Sequence, residues 1–441
     1  MKGFGSRLER VIHRIADMNQ KKLAKQLGVS EALVSNWVND KGFPSADLLQ
    51  MICTNLRCSA DELLGLRLPE KVYEGEHECD GIRWIEKVPQ YIVNQQREVI
   101  ERGLELFRSL VVDKNSPAVC TSKLGADWQT LNNALLMALR TRSLQLVNVP
   151  RHDSLEAELR GRFGIHGLRE VIVAKVPQTS AGKYIAGAIL RTEFVTFLAA
   201  TVALASLDPE TRAVGVGGGY TMLRFAEQSV LCPSPFSKTT WIPLMARNDA
   251  GFEASGRSAN SVASLMAIQR PGSKALPFPF IAPEKRPRLS QVEHSELEYD
   301  ERQATIAINR FKNANTFFVT VGGENYDAVL ALEDYSVNAR ERINNVLRRQ
   351  NLANQFAGDM LGVALNDEGE SIGSEVQSIN DNFAFTIGFE RIRRLTEINR
   401  TWVIANMSYK SRAVLMTLKS KLVNSLVVDS EIAEYLSKNS E

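Results

Sequence analysis

At 441 residues the chain is too long for one ordinary core, and its composition is that of a globular protein of two or three domains. A formal net charge of +2 excludes a global basic field, so contact with nucleic acid must come from a local patch. The cysteines (Cys53, Cys58, Cys79, Cys120, Cys232) form no CxxC pair and read as reduced thiols, and the scattered histidines show no zinc spacing.

The N-terminus, MKGFGSRLERVIHRI, carries charges where a signal peptide needs an apolar run. The longest apolar stretch, Phe197 to Leu207, is too short to span a bilayer. These features place the chain in the cytoplasm, with no membrane role, cofactor or metal expected.

From residue 6 the pattern is helical. Leu8, Val11, Ile12 and Ile15 recur at helix spacing. Leu23, Ala24 and Leu27 form one short apolar face, Gly28 supplies a left-handed helix stop, and Ser30 can cap a helix running to about Asn39. In that second helix Leu33, Val34 and Trp37 are expected to pack inward, and Glu31, Ala32, Ser35 and Asn36 to face outward, where they can meet base edges. Lys21, Lys22, Lys25 and Lys41 flank the helix and suit phosphates. A helix follows over 45–55, and Ser59 to Leu64 completes a small bundle.

This stretch resembles the Cro/phage-repressor helix-turn-helix family. The matching residues are Gln20, Leu23-Ala24, Leu27-Gly28-Val29-Ser30, Val34-Ser35-Asn36-Trp37, Pro44 and Ser59 to Leu64. The resemblance implies DNA contacts from Gln20, Ser30, Glu31, Ala32, Ser35 and Asn36, with Lys21 and Lys41 on the backbone. Glu31 stands where the family often has Gln; its carboxylate can accept from cytosine but repels phosphate.

Residues 69–90, charged and broken by Pro69, Gly75, Gly81 and Pro89, read as a linker. Helical spacing returns over 90–113 and 127–141, followed by an apolar strand from Leu144 to Val149. The arrangement looks like a second, winged helix-turn-helix remnant. Its reading helix, Thr130 to Leu136, carries little positive charge apart from Arg140 and Arg142, so dimerisation or spacing is the expected role.

Beyond residue 150, short apolar strands alternate with helices: Glu170 to Ala174, Arg212 to Val216, Thr239 to Leu244, Thr316 to Val321, Thr401 to Ala405 and Asn424 to Val428, with helices over Tyr184 to Ser206 and Met222 to Gln228. Such alternation predicts an α/β fold with a doubly wound parallel sheet, whose ligands bind at the carboxyl ends of strands. Four loops are then candidates: Gly217-Gly218-Gly219-Tyr220-Thr221, Gly322-Gly323-Glu324-Asn325, Asn406 to Lys410, and Asp429-Ser430-Glu431. Consecutive glycines before a helix can present backbone N–H groups to an anion, or can serve a tight turn with close packing. Lys410 can pair with a phosphate. Asp429 can accept from a ligand hydroxyl or cap the last helix.

The order of Ser154 to Arg160, Gly167 to Val173, Ala213 to Leu223, Ser258-Ala259-Asn260-Ser261-Val262, Leu276 to Pro279, Gly358 to Gly362 and Lys419 to Asp429 with Ala433 resembles the SorC/DeoR-type sugar-binding domain. The resemblance implies a Rossmann-like sheet related to sugar-phosphate isomerases, a phosphorylated sugar as effector, Asn260 in the site, and a dimer or tetramer. Two departures stand out. Asn406-Met407 replaces the family's Gly-Gly, and Asp429-Ser430-Glu431-Ile432-Ala433 replaces Asp-Glu-x-Thr-Ala, so another phosphorylated metabolite suits the site as well.

The expected organisation is a helix-turn-helix domain over 1–68, a linker and helical segment over 69–145, and a ligand-binding, oligomerising domain over 146–441. The expected function is a DNA-binding regulator, a repressor, switched by a phosphorylated effector. The alternatives are a DNA-bound architectural protein with a degenerate ligand site and an isomerase- or deaminase-like enzyme. The enzyme needs a positioned base that His166, His294 and a lone Asp429 do not supply.

Overall fold

A computed structural model describes residues 4–14, 18–56, 75–88, 92, 94–178, 188–208, 210–231, 238–247, 257–270, 272–276, 314–323, 356–361, 363–372, 383–386 and 389–440. Ile15, Ser59 to Leu64, Tyr184 to Gly187, residues 277–293 of the Pro271 to Glu293 loop, His294, Glu324, Asn325 and Gly362 lie outside them.

Four helices open the chain: α1 (Phe4–Arg14), α2 (Gln20–Leu27), α3 (Glu31–Val38) and α4 (Ala46–Leu56). Phe4, Leu8, Val11, Ile12, Leu23, Leu27, Val34, Trp37, Ile52 and Leu56 form one buried core. Each such side chain contributes roughly 1.5–3 kcal/mol on burial. Gly5 lets α1 cross the end of α3: a Cβ there would lie 2.0 Å from the Val38 carbonyl oxygen, and the Gly5 N–H donates to Asp40 Oδ1 at 2.7 Å.

The expected linker over 69–90 is corrected between 75 and 86. Strands β1 (Gly75–Cys79) and β2 (Ile82–Glu86) flank a turn at Asp80 (φ 52°) and Gly81 (φ 82°). Two successive positive φ values are those of a hairpin turn that matches strand twist. Helices α5 (Asn94–Val111), α6 (Pro117–Leu124) and α7 (Trp128–Arg140) follow, then β3 (Leu144–Asn148), which completes a sheet in the order β1-β2-β3.

The remaining elements are α8 (Asp153–Phe163), β4 (Glu170–Ala174), α9 (Ala188–Leu198), β5 (Ala213–Val216), α10 (Tyr220–Gln228), β6 (Thr240–Pro243), β7 (Met245–Arg247), α11 (Ala259–Ile268) and β8 (Lys274–Ala275). After them come β9 (Thr316–Val319), β10 (Val321–Gly322), β11 (Gly358–Met360), β12 (Val363–Leu365), β13 (Phe383–Thr386), α12 (Phe389–Ile398), β14 (Arg400–Ala405), α13 (Ser411–Lys419), β15 (Ser425–Asp429) and α14 (Ser430–Lys438).

Seven strands form one sheet in the order β4-β15-β14-β9-β5-β6-β8, and every pairing in it is parallel. Period-two alternation divides its side chains between two buried faces. Val171, Val173, Val403, Leu426 and Val428 join a core with Leu159, Phe163, Leu418, Ile432 and Leu436 from α8, α13 and α14. Ile172, Trp402, Ile404, Val427 and Phe318 point the other way and are buried too. Burial on both faces is what the apolar, unalternating strand sequences demand. The expected single strand Thr316 to Val321 breaks at Thr320, because β10 leaves the parallel sheet to pair antiparallel with β11.

Two compact units divide the chain: Met1–Glu76 with Ile85–Leu104 and Met137–Gln145, and His77–Trp84 with Glu105–Leu136 and Leu146–Glu441. The segment 69–145 is divided between them.

Candidate functional site

The helix-turn-helix is fixed by local chemistry. The Asn19 side chain caps α2 by accepting the Lys22 N–H at 2.8 Å, and Gly28 ends it in the left-handed region at φ 67°. Ser30 then caps α3 by accepting the Leu33 N–H at 3.3 Å. These contacts turn Val34 and Trp37 into the core and leave Glu31, Ala32 and Asn36 exposed, with Ser35 half-buried. Lys21 and Lys41 are exposed and Gln20 is half-buried at the start of α2. Leu33, expected to pack inward, is 36% exposed, which corrects that expectation. At 100° per residue it falls between exposed Asn36 and buried Trp37, on the border of the two faces.

In the sheet unit, the strand order reverses between β5 and β9, and a crevice at such a point is where ligands of this architecture bind. The loop Gly217 to Thr221 leaves β5 there. It does not offer the expected cradle of three amides. The Gly217 N–H donates to the Phe318 carbonyl at 2.8 Å and the Gly219 N–H to the Arg257 carbonyl at 2.7 Å. Gly218 is demanded by close approach, since a Cβ would stand 2.9 Å from the Ala259 nitrogen. What remains is the first turn of α10, whose N-cap Gly219 has no side-chain bond. Its leading N–H groups lack intrahelical partners by geometry, and they carry the positive end of the helix dipole.

Lys410 reaches this point. It is 8% exposed, its ammonium donates to Thr221 Oγ1 at 3.3 Å, and it lies 5.7 Å from the centre of the Tyr409 ring. Thr320 Oγ1, Ser411 Oγ and Asn406 Oδ1 are buried without a hydrogen-bond partner among the described residues. Thr320 borders the glycine loop: its Cγ2 would lie 3.6 Å from a Cβ on Gly219. Asn260 is half-buried in the first turn of α11, next to the Ala259 that Gly218 approaches. Gly322 sits in β10 paired with Asp359, and Gly323 is required because a Cβ would meet the Tyr409 carbonyl oxygen at 2.1 Å.

Asp429 has no exposed surface and is fully engaged. Oδ1 accepts the Ile432 N–H at 3.0 Å, which caps α14, and Oδ2 accepts the Met407 N–H at 2.9 Å. Burial pushes its carboxyl above the ordinary carboxylate range, opposed by Arg191 and these two amides. It therefore positions the 406–410 loop. Met407 keeps a backbone suited to the family's glycine, with φ 76°.

Arg191 went unread in the sequence. It lies in α9, a helix buried almost all round, and its Nη1 is 2.5 Å from Glu431 Oε2, 3.6 Å from Asp429 Oδ2 and 3.4 Å from Met407 Sδ. Neighbouring Thr192 accepts from Asn406 Nδ2 at 3.0 Å. Glu193 holds Arg224 at 2.5 and 2.8 Å and Gln228 at 2.6 Å, anchoring α10 to α9. Both altered positions after β15 face the protein. Ser430 Oγ donates to the Ala174 carbonyl at 2.9 Å, and Ile432 belongs to the core.

Among the described residues no helix is long and apolar enough to cross a membrane, and no cluster of side chains is arranged to hold a metal ion. The sugar-binding domain family matches residues 148–437, and the Cro/C1-type helix-turn-helix DNA-binding domain matches residues 10–67. No curated protein matches the chain. Among solved structures, a DeoR family transcriptional regulator from Listeria monocytogenes is 17% identical, covering 64% of this chain and 98% of its own at a TM-score of 0.46. The full-length sorbitol operon regulator SorC from Klebsiella pneumoniae is 16% identical, covering 77% and 98% at a TM-score of 0.47. A transcriptional regulator from Streptococcus pneumoniae TIGR4 is 15% identical, covering 66% and 98% at 0.46. With one family matched over most of its length and a Cro/C1-type unit ahead of it, the chain belongs to the sugar-binding domain family and is a transcriptional regulator.

Proposed function

We propose that this regulator is a cytoplasmic repressor whose operator affinity is set by a phosphorylated small molecule at the carboxyl edge of the seven-stranded sheet. The observation that carries the reading is the buried Lys410 ammonium beside the uncapped start of α10. Two positive ends that converge in a protein interior repel, and a phosphate between them turns that repulsion into attraction. Thr221, Thr320, Ser411 and Asn406 supply polar atoms around it. Ser430 and Ile432 face inward, so a polyol end finds fewer partners than the family pattern offers, and phosphorylated metabolites beyond sugars suit the site.

On the DNA side, Ala32, Ser35 and Asn36 meet base edges, with Leu33 suited to a thymine methyl, and Gln20, Lys21, Ser30 and Lys41 meet phosphates. Glu31 selects a cytosine amino group. A homodimer or homotetramer presents two such helices to half-sites, and the effector shifts it between arrangements that match or miss their spacing. Linkage then requires DNA and effector to change each other's affinity by one factor.

Gel shifts at fixed salt with a panel of phosphorylated metabolites test this. A compound that changes operator affinity and raises the melting temperature supports the reading. If no phosphorylated compound does either, the sensing role falls. A tightly held molecule without phosphate, found by mass spectrometry of purified protein, would redirect it.

A further inference from the structure

The chain contains the same turn twice. Helix α2 and helix α6 both span eight residues, and each begins after a polar N-cap, Asn19 or Ser116, whose side chain accepts the N–H three residues on. Each ends in a left-handed glycine, Gly28 at φ 67° or Gly125 at φ 63°, 97 positions apart in sequence. Two residues later a second cap starts the next helix: Ser30 for α3, and Asp127 for α7 through the Thr130 N–H at 2.8 Å.

At that offset several core positions also correspond. Leu23 and Cys120 are buried, Val34 and Leu131 are buried, Trp37 and Ala134 are buried. Leu27-Gly28 becomes Leu124-Gly125, and Asn36 becomes Asn133, exposed in both. The face of α7 that mirrors the DNA side of α3 carries Gln129, Thr130 and Asn133, all exposed, while Asn132, at the position of Ser35, is buried; the helical repeat of the exposed face continues to Arg140.

Gln129 Nε2 is 3.4 Å from Asn133 Oδ1, which joins the two amides along the helix one turn apart. Amides in this position pair with adenine, which presents one acceptor and one donor in the major groove. Charge agrees as well. Across residues 117–140 the sequence has Lys123 and Arg140 and a single carboxylate, Asp127, which is tied to Thr130 by two hydrogen bonds. The exposed face of α7 therefore bears no acid to repel phosphate, unlike α3 with Glu31.

We infer that α6 and α7 form a second DNA-reading unit, with Gln129 and Asn133 as its base contacts, so that each protomer reads two stretches of duplex. This departs from the dimerisation role that its modest charge suggested, and it does not depend on effector binding.

The experiment uses the full-length protein and duplexes selected from a randomised pool, with hydroxyl-radical footprints at fixed salt. Wild type protects two separate stretches per protomer. Gln129→Ala with Asn133→Ala keeps one stretch, loses protection and base preference in the other, and binds about fivefold to 150-fold more weakly, as the loss of one or more bidentate base contacts requires. Asn133→Asp, nearly isosteric at an exposed site, gives the same loss if the alanine pair fails to fold. Ser35→Ala with Asn36→Ala removes the complementary stretch; if it changes nothing while the α7 variants do, the first reading unit is in error and this one stands. A footprint and affinity within twofold of wild type for folded α7 variants overturns the inference. So does a changed oligomeric mass in light scattering with an unchanged footprint.

Discussion

Lys410→Met separates the cost of a buried charge from its use. In the protein without effector, the ammonium faces a helix end carrying about half an elementary charge. At about 5 Å and an effective dielectric constant of about 20, that repulsion is about 1.7 kcal/mol. The Thr221 hydrogen bond at 3.3 Å and the Tyr409 ring at 5.7 Å return about 1 kcal/mol each. These terms are of similar size and burying the ammonium carries a further cost, so the variant should fold without losing more than about 1 kcal/mol. A phosphate changes the balance. A charge-assisted hydrogen bond is worth about 1.5–3 kcal/mol, which is roughly tenfold to 150-fold in affinity. Thermal melting and calorimetry against phosphorylated sugars and inorganic phosphate measure both quantities. Wild type gains about 2.7 kcal/mol at a ligand concentration of 100 Kd, and the variant at that same concentration gains little. A variant that responds to phosphate as wild type does, or that loses more than about 3 kcal/mol without it, refutes the reasoning.

Other substitutions probe the scaffold. Met407→Gly relieves a backbone strain of about 1–3 kcal/mol and adds about 1 kcal/mol of unfolded-state freedom, so denaturant unfolding should show a stabilisation of about 0–2 kcal/mol, whereas Met407→Val, β-branched at φ 76°, should cost more than about 2 kcal/mol. Glu193→Ala leaves the buried Arg224 with Glu227 as its carboxylate partner and should cost about 1–3 kcal/mol by urea denaturation, most of it recovered when Arg224 is also made Met. Gly218→Ala forces a Cβ to within 2.9 Å of backbone and should cost about 1–3 kcal/mol. Hydrogen bonds from Thr130 hold the Asp127 carboxyl below the usual carboxylate range, so its capping contribution is present above its unfolded pKa and is lost as pH falls through the lower folded one. Asp127→Ala should therefore loosen α7 in hydrogen exchange at neutral pH and change little in strong acid.

The parts of the fold that rest on local chemistry were readable. Leu27-Gly28-Val29-Ser30 specifies a stop, a turn and a cap within four residues, and the strands at 170, 213, 400 and 425 are apolar runs of the right length. The hairpin at 75–86 was missed although Asp80-Gly81 marks its turn, because its charged outer residues look like a linker. In the candidate crevice, Thr221 and Lys410 were readable as a hydroxyl and a cation at strand ends. The glycines were readable only as close approaches: their N–H groups turn to Phe318 and Arg257, partners that no local pattern reveals. Arg191 was invisible for the same reason, since its partner Glu431 lies 240 residues away and α9 otherwise reads as core.

Asp429 ties two separate elements, the 406–410 loop and α14, to one carboxylate. A shift of the Met407 backbone tugs on the same side chain that stops α14 from fraying, so the last helix cannot stay indifferent to what happens around Lys410. Helix α14 in turn is fastened to α8 through Ser437 on Glu158 and Ser440 on Arg162, the latter at 2.9 Å. The C-terminal helix is thus fastened at its start by Asp429 and at its far end by α8. Truncation into it would remove Ile432, Ala433 and Leu436 from the core and release α8 as well.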